Sequence, residues 1–296
     1  MKPRSYGPYA YSPIVRRPKV VWPNGNRVAL WVIPNIEFFA LDEAVPVSAG
    51  GSGKSPDIPG WSVRDYGNRI GVFRIMDVLD RHGVRGTAAL NSDICTQHPA
   101  IVEEGTARGW EWMGHNESNT RRLNEMKPEE EAGAIRRTVE VITKATGKAP
   151  KGWLGSGLQE TWATLPLLCD NGIDYVADWI CDDQPVPMSL TDGRQLMAMP
   201  YSTEINDKPA FEKRNMSAPE FDGMIRRQFD TLWREGETQA RVMAIALHPY
   251  ITGMPHRIGA LDSALEYICS HKGVWRATGS EIAATWREIG SHKATG

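Results

Sequence analysis

An alternation of strand-like and helix-like segments is the feature that most constrains the fold of this chain. "RVALWVIPNIE", from Arg27, is a continuous β-rich apolar run of the kind that forms a strand buried on both faces. "YGNRIGVFRIMDVLDRHG" then carries apolar residues at helical spacing and ends at Gly83. Similar pairs continue almost to the end of the chain. Repeated strand–helix units favour a parallel sheet with helices outside it.

Polar side chains at the ends of the predicted strands distinguish a barrel from a doubly wound sheet. A doubly wound sheet concentrates its chemistry at one switch point, whereas a barrel gathers side chains from many strand ends at one mouth. The residues that follow successive strands are Asn35 and Glu37, Asn91, His115, Ser156, Asp182 and Asp183, Glu204, and His248. We therefore predict an α/β fold, an irregular (β/α) barrel of about seven parallel strands.

Neither a composition break nor a low-complexity linker divides the alternating region. We predict a single barrel domain over residues 27–296, preceded by an N-terminal arm over residues 1–26. The arm is rich in proline, tyrosine and basic residues. Such an arm either wraps its own domain or reaches a neighbouring subunit.

Composition and charge exclude several classes of function. A net charge of −2 gives no electrostatic reason to expect nucleic acid or an anionic membrane as partner. We find no apolar run near the roughly 20 residues of a membrane span, and no apolar core of a signal peptide. The four cysteines form no CxxC pair, so neither a disulfide framework nor a thiolate zinc site is indicated. We expect a cytoplasmic protein that acts on a small molecule.

The segment "MGHNESN" contains the first candidate for a metal or catalytic site. His115 and Asn119 are four residues apart, so one helical turn would direct both side chains to a single point. A helix-capping turn explains the pair about as well. Glu37 supplies a carboxylate at the end of the first strand, where a salt bridge at the barrel rim is the alternative to a site.

Two further segments supply candidates for general base. In "CDDQPVPM", adjacent carboxylates point in different directions, so at most one faces the site, and Asp183 is our candidate. In "PYSTEIND", Glu204 is the second candidate, with a polar turn as the alternative interpretation.

"LHPYITGMPHRIG" contains the candidate general acid. His248 ends a buried strand and is followed by Pro249, which would leave the imidazole at the barrel mouth. Its ordinary pKa of about 6.5 suits proton donation to a departing nitrogen. Arg257 lies in the following loop, which could fold over a ligand.

In their order, these motifs resemble the polysaccharide deacetylase (NodB-homology) superfamily, and most closely its intracellular branch with cofactor-independent allantoinase and cyclic imide hydrolases. The matching stretches are "RVALWVIPNIE", "YGNRIGVFRIMDVLDRHGV", "WEWMGHNESN", "KGWLG", "DYVADWICDDQP", "PYSTEIND" and "IALHPYITGMPHRIGAL". The resemblance implies an irregular barrel of about seven strands and hydrolysis of an amide-type C–N bond. It also implies that the histidine of the "LHP" motif, here His248, acts as general acid.

The resemblance implies a metal site as well, with zinc or another divalent metal held by Glu37, His115 and Asn119. The family uses an Asp and two His at these positions. If no metal binds, Glu37 and His115 would act directly on the substrate. Asn35 stands where the family has its catalytic-base Asp, and it cannot take a proton.

The family's arginine motif after the fourth strand is replaced by "GWLGSG". We assign substrate binding to Trp153 and Ser156 in this segment, together with Asn35 and Arg257. Because the loops that shape the pocket cannot be read from the sequence, the substrate itself is not predicted beyond its class.

The expected function is hydrolysis of a small cyclic amide, imide or ureide by attack of water on the carbonyl. The alternatives are a deacetylase of a small N-acyl compound or N-acetyl sugar, and a non-catalytic binding barrel. Relatives in this branch are often tetramers, and 11 tryptophans are compatible with oligomer contacts. We therefore expect a homo-oligomer, a tetramer or a dimer.

Overall fold

Within the described residues, nine strands form one curled sheet that carries helices on its outer face. The structure is a computed structural model and describes residues 5–45, 47 and 50–294. The strands are β1 (Val28–Ile36), β2 (Thr87–Leu90), β3 (Glu111–Gly114), β4 (Gly152–Trp153), β5 (Tyr175–Val176), β6 (Val186–Ser189), β7 (Gln195–Ala198), β8 (Arg241–Leu247) and β9 (Val274–Arg276). The helices are α1 (Ile58–Tyr66), α2 (Val72–Arg81), α3 (Ile94–Gln97), α4 (Pro99–Ala107), α5 (Pro128–Thr146), α6 (Thr164–Asp170), α7 (Ala218–Glu235), α8 (Ile258–Ser270) and α9 (Gly279–Ala294).

The strands follow the order β6-β7-β5-β4-β3-β2-β1-β8, and β9 pairs with the first residues of β1. All the pairings are parallel except that of β6 with β7. The sheet is curled into a half-barrel, so the predicted irregular (β/α) barrel is confirmed.

The antiparallel strand β6 was not predicted, because its sequence contains Pro187 and follows Pro185. Proline has no N–H to donate to a ladder, but an edge strand tolerates it on the side that faces away from the neighbouring strand. Since β6 is an edge strand, it accommodates prolines that would break a central one.

Alternation along β1 explains why its last polar residues face the barrel interior. Successive side chains of a strand point to opposite faces. Side chains at odd positions belong to an apolar cluster inside the barrel, which we call the interior cluster, namely Ala29, Trp31 and Ile33. Side chains at even positions pack against the outer helices, namely Val28, Leu30 and Val32. Continued by two and four residues, the alternation brings Asn35 and Glu37 to the interior at the mouth, where the carboxyl ends of the strands meet.

The N-terminal arm packs on its own barrel, which is one of the two alternatives for it. The amide of Ser189 donates to the carbonyl of Pro8 at 2.7 Å, and the amide of Ala240 donates to that of Val20 at 3.0 Å. Arg17 forms an ion pair with Asp182. Between the arm and the edge strands β6 and β8 lies a groove of about 1060 Å³. Within the described residues, every helix is too short or too polar to cross a membrane.

Candidate active site

Four buried polar side chains meet at the mouth of the barrel: Glu37 after β1, His115 and Asn119 after β3, and His248 after β8. Their residues are 8%, 2%, 7% and 4% exposed, in that order. The Glu37 Oε1 atom lies 3.6 Å from His248 Nε2 and 3.8 Å from His115 Nε2. It also accepts a hydrogen bond from Asn119 Nδ2 at 2.5 Å. One carboxylate oxygen is therefore surrounded by two imidazoles and an amide, which we call the Glu37 cluster.

The buried carboxylate of Asp207 binds the nitrogen of the His248 ring that faces away from Glu37. The His248 Nδ1–H donates to Asp207 Oδ1 at 2.6 Å, and the His248 amide donates to Oδ2 at 2.7 Å. The Thr252 hydroxyl also donates to Oδ2, at 2.6 Å. These bonds fix the ring so that Nε2 faces Glu37. The ring is thus oriented in the way that a general acid requires.

Glycines bring the loop that follows β8 close to the π-helical segment Gly67–Gly71, which joins α1 to α2. A side chain at Gly71 would place its Cβ 2.1 Å from the carbonyl oxygen of Pro249. At Gly67 a Cβ would lie 2.5 Å from the amide nitrogen of Tyr250. Because only glycine permits such approaches, the "YGNRIG" segment helps to hold the His248 loop in place.

The charges of the Glu37 cluster stabilise one another. Burial alone would raise the pKa of Glu37, but His248, His115 and Lys208 together hold it well below its ordinary value. Burial would lower the pKa of His248, but Asp207 and Glu37 outweigh it and raise this pKa to about 9. At neutral pH the cluster therefore contains a carboxylate at Glu37 and an imidazolium at His248.

His115 directs its Nε2 atom into the same space. Its Nδ1 lies 2.5 Å from the carbonyl oxygen of Leu154, and because that oxygen only accepts, Nδ1 carries the proton. Its Nε2 is buried and has no hydrogen-bond partner among the described residues, and the same holds for Glu37 Oε2. Buried polar atoms are normally paired. These two atoms are therefore available to a substrate or to the attacking water.

Two neighbouring side chains determine which atom Asn119 presents to Glu37. Asn91 Oδ1 accepts from the Phe38 amide at 2.7 Å, so its Nδ2 faces Asn119 Oδ1, at 3.1 Å. The hydroxyl of Ser156 also donates to Asn119 Oδ1, at 2.6 Å. The oxygen of Asn119 is therefore engaged, and its NH₂ group is the one that faces Glu37.

This orientation does not fit the predicted metal site of Glu37, His115 and Asn119. An amide NH₂ group has no lone pair to offer a cation, and zinc sites use His, Cys and carboxylate ligands. In the part of the chain that the structure describes, no group of three His, Cys, Asp or Glu residues has a metal-holding arrangement. Of the three predicted ligands, Glu37 and His115 approach each other to 3.8 Å, while Asn119 acts as a hydrogen-bond donor.

The two predicted general bases lie outside the Glu37 cluster. β5 ends at Val176, so Asp183 is not at the carboxyl end of that strand. Its carbonyl instead accepts from the Val242 amide, at the amino end of β8. The side chain of Glu204 is 67% exposed and pairs with Arg214 at 2.6 Å. Both Asp183 and Glu204 line the groove under the N-terminal arm.

The four predicted substrate-binding residues have other contacts. Trp153 is fully buried in an outer core cluster because it lies at an outward position of β4. Ser156 bonds Asn119, as described above. Asn35 donates to the Leu247 carbonyl at 3.2 Å and to the Tyr201 hydroxyl at 3.3 Å. The guanidinium of Arg257 stacks over the ring of Phe211 at 4.5 Å. The first three therefore serve the structure around the site, and Arg257 is engaged with an aromatic ring.

Asp207 is a residue of the site to which the sequence analysis assigned no role. It stands three positions after Glu204 in "PYSTEIND", a stretch that is also typical of a polar turn. It follows no regular strand; Asn206 forms only an isolated bridge with Ala246. Strand alternation therefore could not assign Asp207 to the interior.

Comparisons with known proteins agree with the motifs. Residues 63–176 match the family described as polysaccharide deacetylase. A Schizosaccharomyces pombe protein named "Putative polysaccharide deacetylase" is 28% identical over 305 residues, which cover 92% of this chain and 94% of that protein. The fold is similar to that of a "probable Polysaccharide deacetylase" from Pseudomonas aeruginosa PAO1, with a TM-score of 0.82, 24% identity, and 92% of this chain and 95% of that one covered.

The fold is equally similar to that of PuuE allantoinase. The TM-score is 0.82, the identity is 24%, and the match covers 92% of this chain and 94% of that chain. Polysaccharide deacetylases and allantoinases are both hydrolases that act on carbon–nitrogen bonds other than peptide bonds. The resemblance indicated by the motifs is therefore confirmed: the chain is similar in sequence to polysaccharide deacetylases, and it shares its fold with hydrolases of this class.

Proposed function

We propose that this protein hydrolyses a C–N bond in a small cyclic amide, imide or ureide. The observation that carries the proposal is the convergence of His248 Nε2 and His115 Nε2 on the Glu37 carboxylate, with His248 held protonated by two carboxylates and His115 donating from Nδ1 to the Leu154 carbonyl. Amide hydrolysis needs a base to deprotonate water and an acid to protonate the departing nitrogen. The Glu37 cluster places two histidines where one can serve as the acid and the other, in its neutral form with the proton on Nδ1, as the base.

His115 is the base in this proposal, and His248 is the acid. Glu37 is a weak base because its pKa is held well below its ordinary value. Water loses a proton to His115 Nε2 as its oxygen bonds to the carbonyl carbon. His248 Nε2 then donates its proton to the nitrogen as the C–N bond breaks.

Glu37 has two tasks in this scheme. Its negative charge stabilises the imidazolium of His248 before the reaction. Afterwards the proton gained by His115 must return to His248, and Glu37 Oε1 lies 3.8 Å from one Nε2 and 3.6 Å from the other. Since no step in this scheme uses a metal, the donor orientation of Asn119 is compatible with it.

The small size of the substrate is supported by the burial of the cluster. Each of the four residues of the Glu37 cluster is at most 8% exposed. A polymer needs an open groove, whereas a compact ring needs only the movement of a few side chains. The fold similarity to an allantoinase supports the same substrate class.

Hydrolysis of a small N-acyl compound is the second candidate function. It is favoured by the match of residues 63–176 to the polysaccharide deacetylase family. The same acid and base would act on a linear amide.

The test is an assay of the purified protein on succinimide, hydantoin, allantoin and N-acetylglucosamine. We expect turnover of at least one cyclic compound, and a loss of about 10²–10⁴-fold in His115→Gln. Glu204→Gln, which alters only an exposed ion pair, serves as the matched control and should keep full activity. Turnover of N-acetylglucosamine alone would favour the second candidate. Tight binding without turnover, with and without added zinc, would contradict both.

A further inference from the structure

A single peptide group joins His115 to a second carboxylate, that of Asp178. The carbonyl oxygen of Leu154 accepts from His115 Nδ1 at 2.5 Å. The amide of Gly155 donates to Asp178 Oδ1 at 2.8 Å. This carbonyl and this amide belong to the same planar, conjugated peptide bond. Asp178 and His115 thus bind the two ends of one dipole.

Hydrogen bonds arranged in a chain polarise one another. A carboxylate that accepts from the Gly155 N–H draws positive charge toward that end of the peptide, so the Leu154 oxygen becomes more negative. That oxygen then accepts more strongly from His115 Nδ1–H. We infer that Asp178 is a positioning residue for His115, acting through the Leu154–Gly155 peptide to hold the tautomer whose Nε2 accepts a proton.

The arrangement parallels that of the other histidine in the cluster. Asp207 binds His248 Nδ1 directly, whereas Asp178 reaches His115 through one peptide bond. A carboxylate that accepts a hydrogen bond from one ring nitrogen of a histidine commonly fixes the tautomer of the ring. The inference rests on the proposed function, in which His115 is the base.

Gly155 leaves room for this contact. A Cβ at this position would lie 3.2 Å from Asp178 Oδ2 and 2.8 Å from the carbonyl oxygen of Gln159. A larger residue would therefore displace either the carboxylate or the backbone of the loop. Within "GWLGSG", the second glycine permits the approach of Asp178.

The carboxyl group of Glu160 adjoins Asp178 and modifies its charge. Burial raises the pKa of Asp178 to about 6, although hydrogen bonds from Glu160 and the Gly155 amide partly oppose this. Burial, followed by the charge of Asp178, raises the pKa of Glu160 well above its ordinary value. Glu160 also accepts from the Trp179 indole at 3.1 Å, and Glu131 adds a smaller repulsion. At neutral pH the pair holds one proton, and Asp178 is the charged partner.

The main test compares Asp178→Asn with Asp174→Asn. The Asp178→Asn variant would keep a side chain that can accept from Gly155 but would lose the charge, so we expect kcat to fall on the order of 10-fold with little change in KM. The His115 Nδ1–H proton resonance should move upfield, because its hydrogen bond weakens. Asp174 lies just before β5, has a 46% exposed side chain and pairs with Lys151, so its variant should match the wild type in both measurements.

The His115 Nδ1–H resonance can be measured without turnover, so the proposed function and the role of Asp178 can fail separately. If no substrate in the assay is turned over, the proposed function falls, while the resonance still tests the link between Asp178 and His115. If Asp178→Asn keeps its kcat within about twofold and the resonance does not move, the inference is wrong.

A second measurement applies if Asp178→Asn does not fold. In the wild type, the Gly155 amide resonance should titrate with a midpoint of about 6, and the His115 Nδ1–H resonance should show the same midpoint. Glu160→Met removes a donor to the carboxylate and should move both midpoints to higher pH, whereas Glu160→Gln keeps a donor and should move them little. A His115 resonance that does not follow Gly155 in these variants would overturn the inference.

Discussion

His248 Nδ1 lies 2.6 Å from Asp207 Oδ1, while Nε2 of the same ring lies 3.6 Å from Glu37 Oε1. The imidazole is therefore held between two carboxylates, both of which favour its protonated form. Burial disfavours that form, but the two charges outweigh it, and the pKa of His248 rises to about 9. A general acid with such a pKa remains protonated over the whole neutral range.

The first prediction concerns the alkaline limb of the pH–rate profile. We expect kcat/KM of the wild type to fall as pH rises through about 9, where His248 loses its proton. Asp207→Asn removes one of the two anions that stabilise the imidazolium, so the limb should move to lower pH. Glu204→Gln, whose exposed pair lies outside the cluster, should leave the limb unchanged. An unaltered limb in Asp207→Asn would show that Asp207 does not control His248.

The second prediction concerns the role of His248 itself. His248→Ala should remain folded and bind substrate, but its turnover should fall by roughly 10²–10⁴-fold. The loss should be smaller for imides than for amides, because a second carbonyl stabilises the departing nitrogen anion. A matched series of imide and amide rings measures this dependence. Equal losses for good and poor leaving groups would instead indicate that His248 orients the substrate or stabilises the oxyanion.

The third prediction concerns metal. Because the oxygen of Asn119 is engaged by Asn91 and Ser156, we expect the activity of the purified protein to survive prolonged treatment with a chelator. Elemental analysis of the treated protein would be made on the same sample. Activity that is lost with the chelator and returns with zinc would contradict both this prediction and the amide orientation from which it follows.

The fourth prediction concerns assembly. We expect a solution mass larger than that of one chain, as measured by light scattering. The arm keeps apolar side chains exposed although it packs on its own barrel, with Val15 88% and Tyr11 79% exposed. If the arm also contacts a second copy, Val15→Asp should shift the protein toward the single chain. A wild-type mass equal to one chain would remove the expectation of an oligomer.

Much of the fold could be predicted from the sequence, because it depends on local patterns. The alternation of apolar runs predicts the parallel strands, and the period of two along β1 accounts for the inward direction of Glu37. The same period applies along β8, where Val242, Ala244 and Ala246 lie in the interior cluster and His248 continues their face. Glu37 and His248 could therefore be assigned to the site from two local features, their position at the end of a strand and the face of the strand on which they lie.

The sequence could not predict what depends on contacts between distant loops. Trp153 lies one position from an inward residue, Leu154, so an error of one residue in the strand face reverses its assignment. Asp207 lies outside any regular strand, and only the path of its loop brings it to His248. The donor role of Asn119 depends on Asn91, 28 positions earlier in the chain, and the spacing of His115 and Asn119 contains no sign of it.

The last prediction concerns the dependence of stability on pH. The pKa of His248 is about 9 in the folded protein, above its ordinary value of 6.5, so protonation favours the folded state. The resulting stabilisation is fully present below about pH 6.5 and is lost as pH rises through 9; a shift of this size corresponds to about 3 kcal/mol. Urea unfolding at pH 6.5 and pH 9 should therefore reveal a lower free energy of unfolding at pH 9. The decrease should be smaller in Asp207→Asn, where the pKa of His248 is less elevated, and unchanged in Glu204→Gln. An equal decrease in the wild type and Asp207→Asn would assign the pH dependence to groups other than the pair of His248 and Asp207.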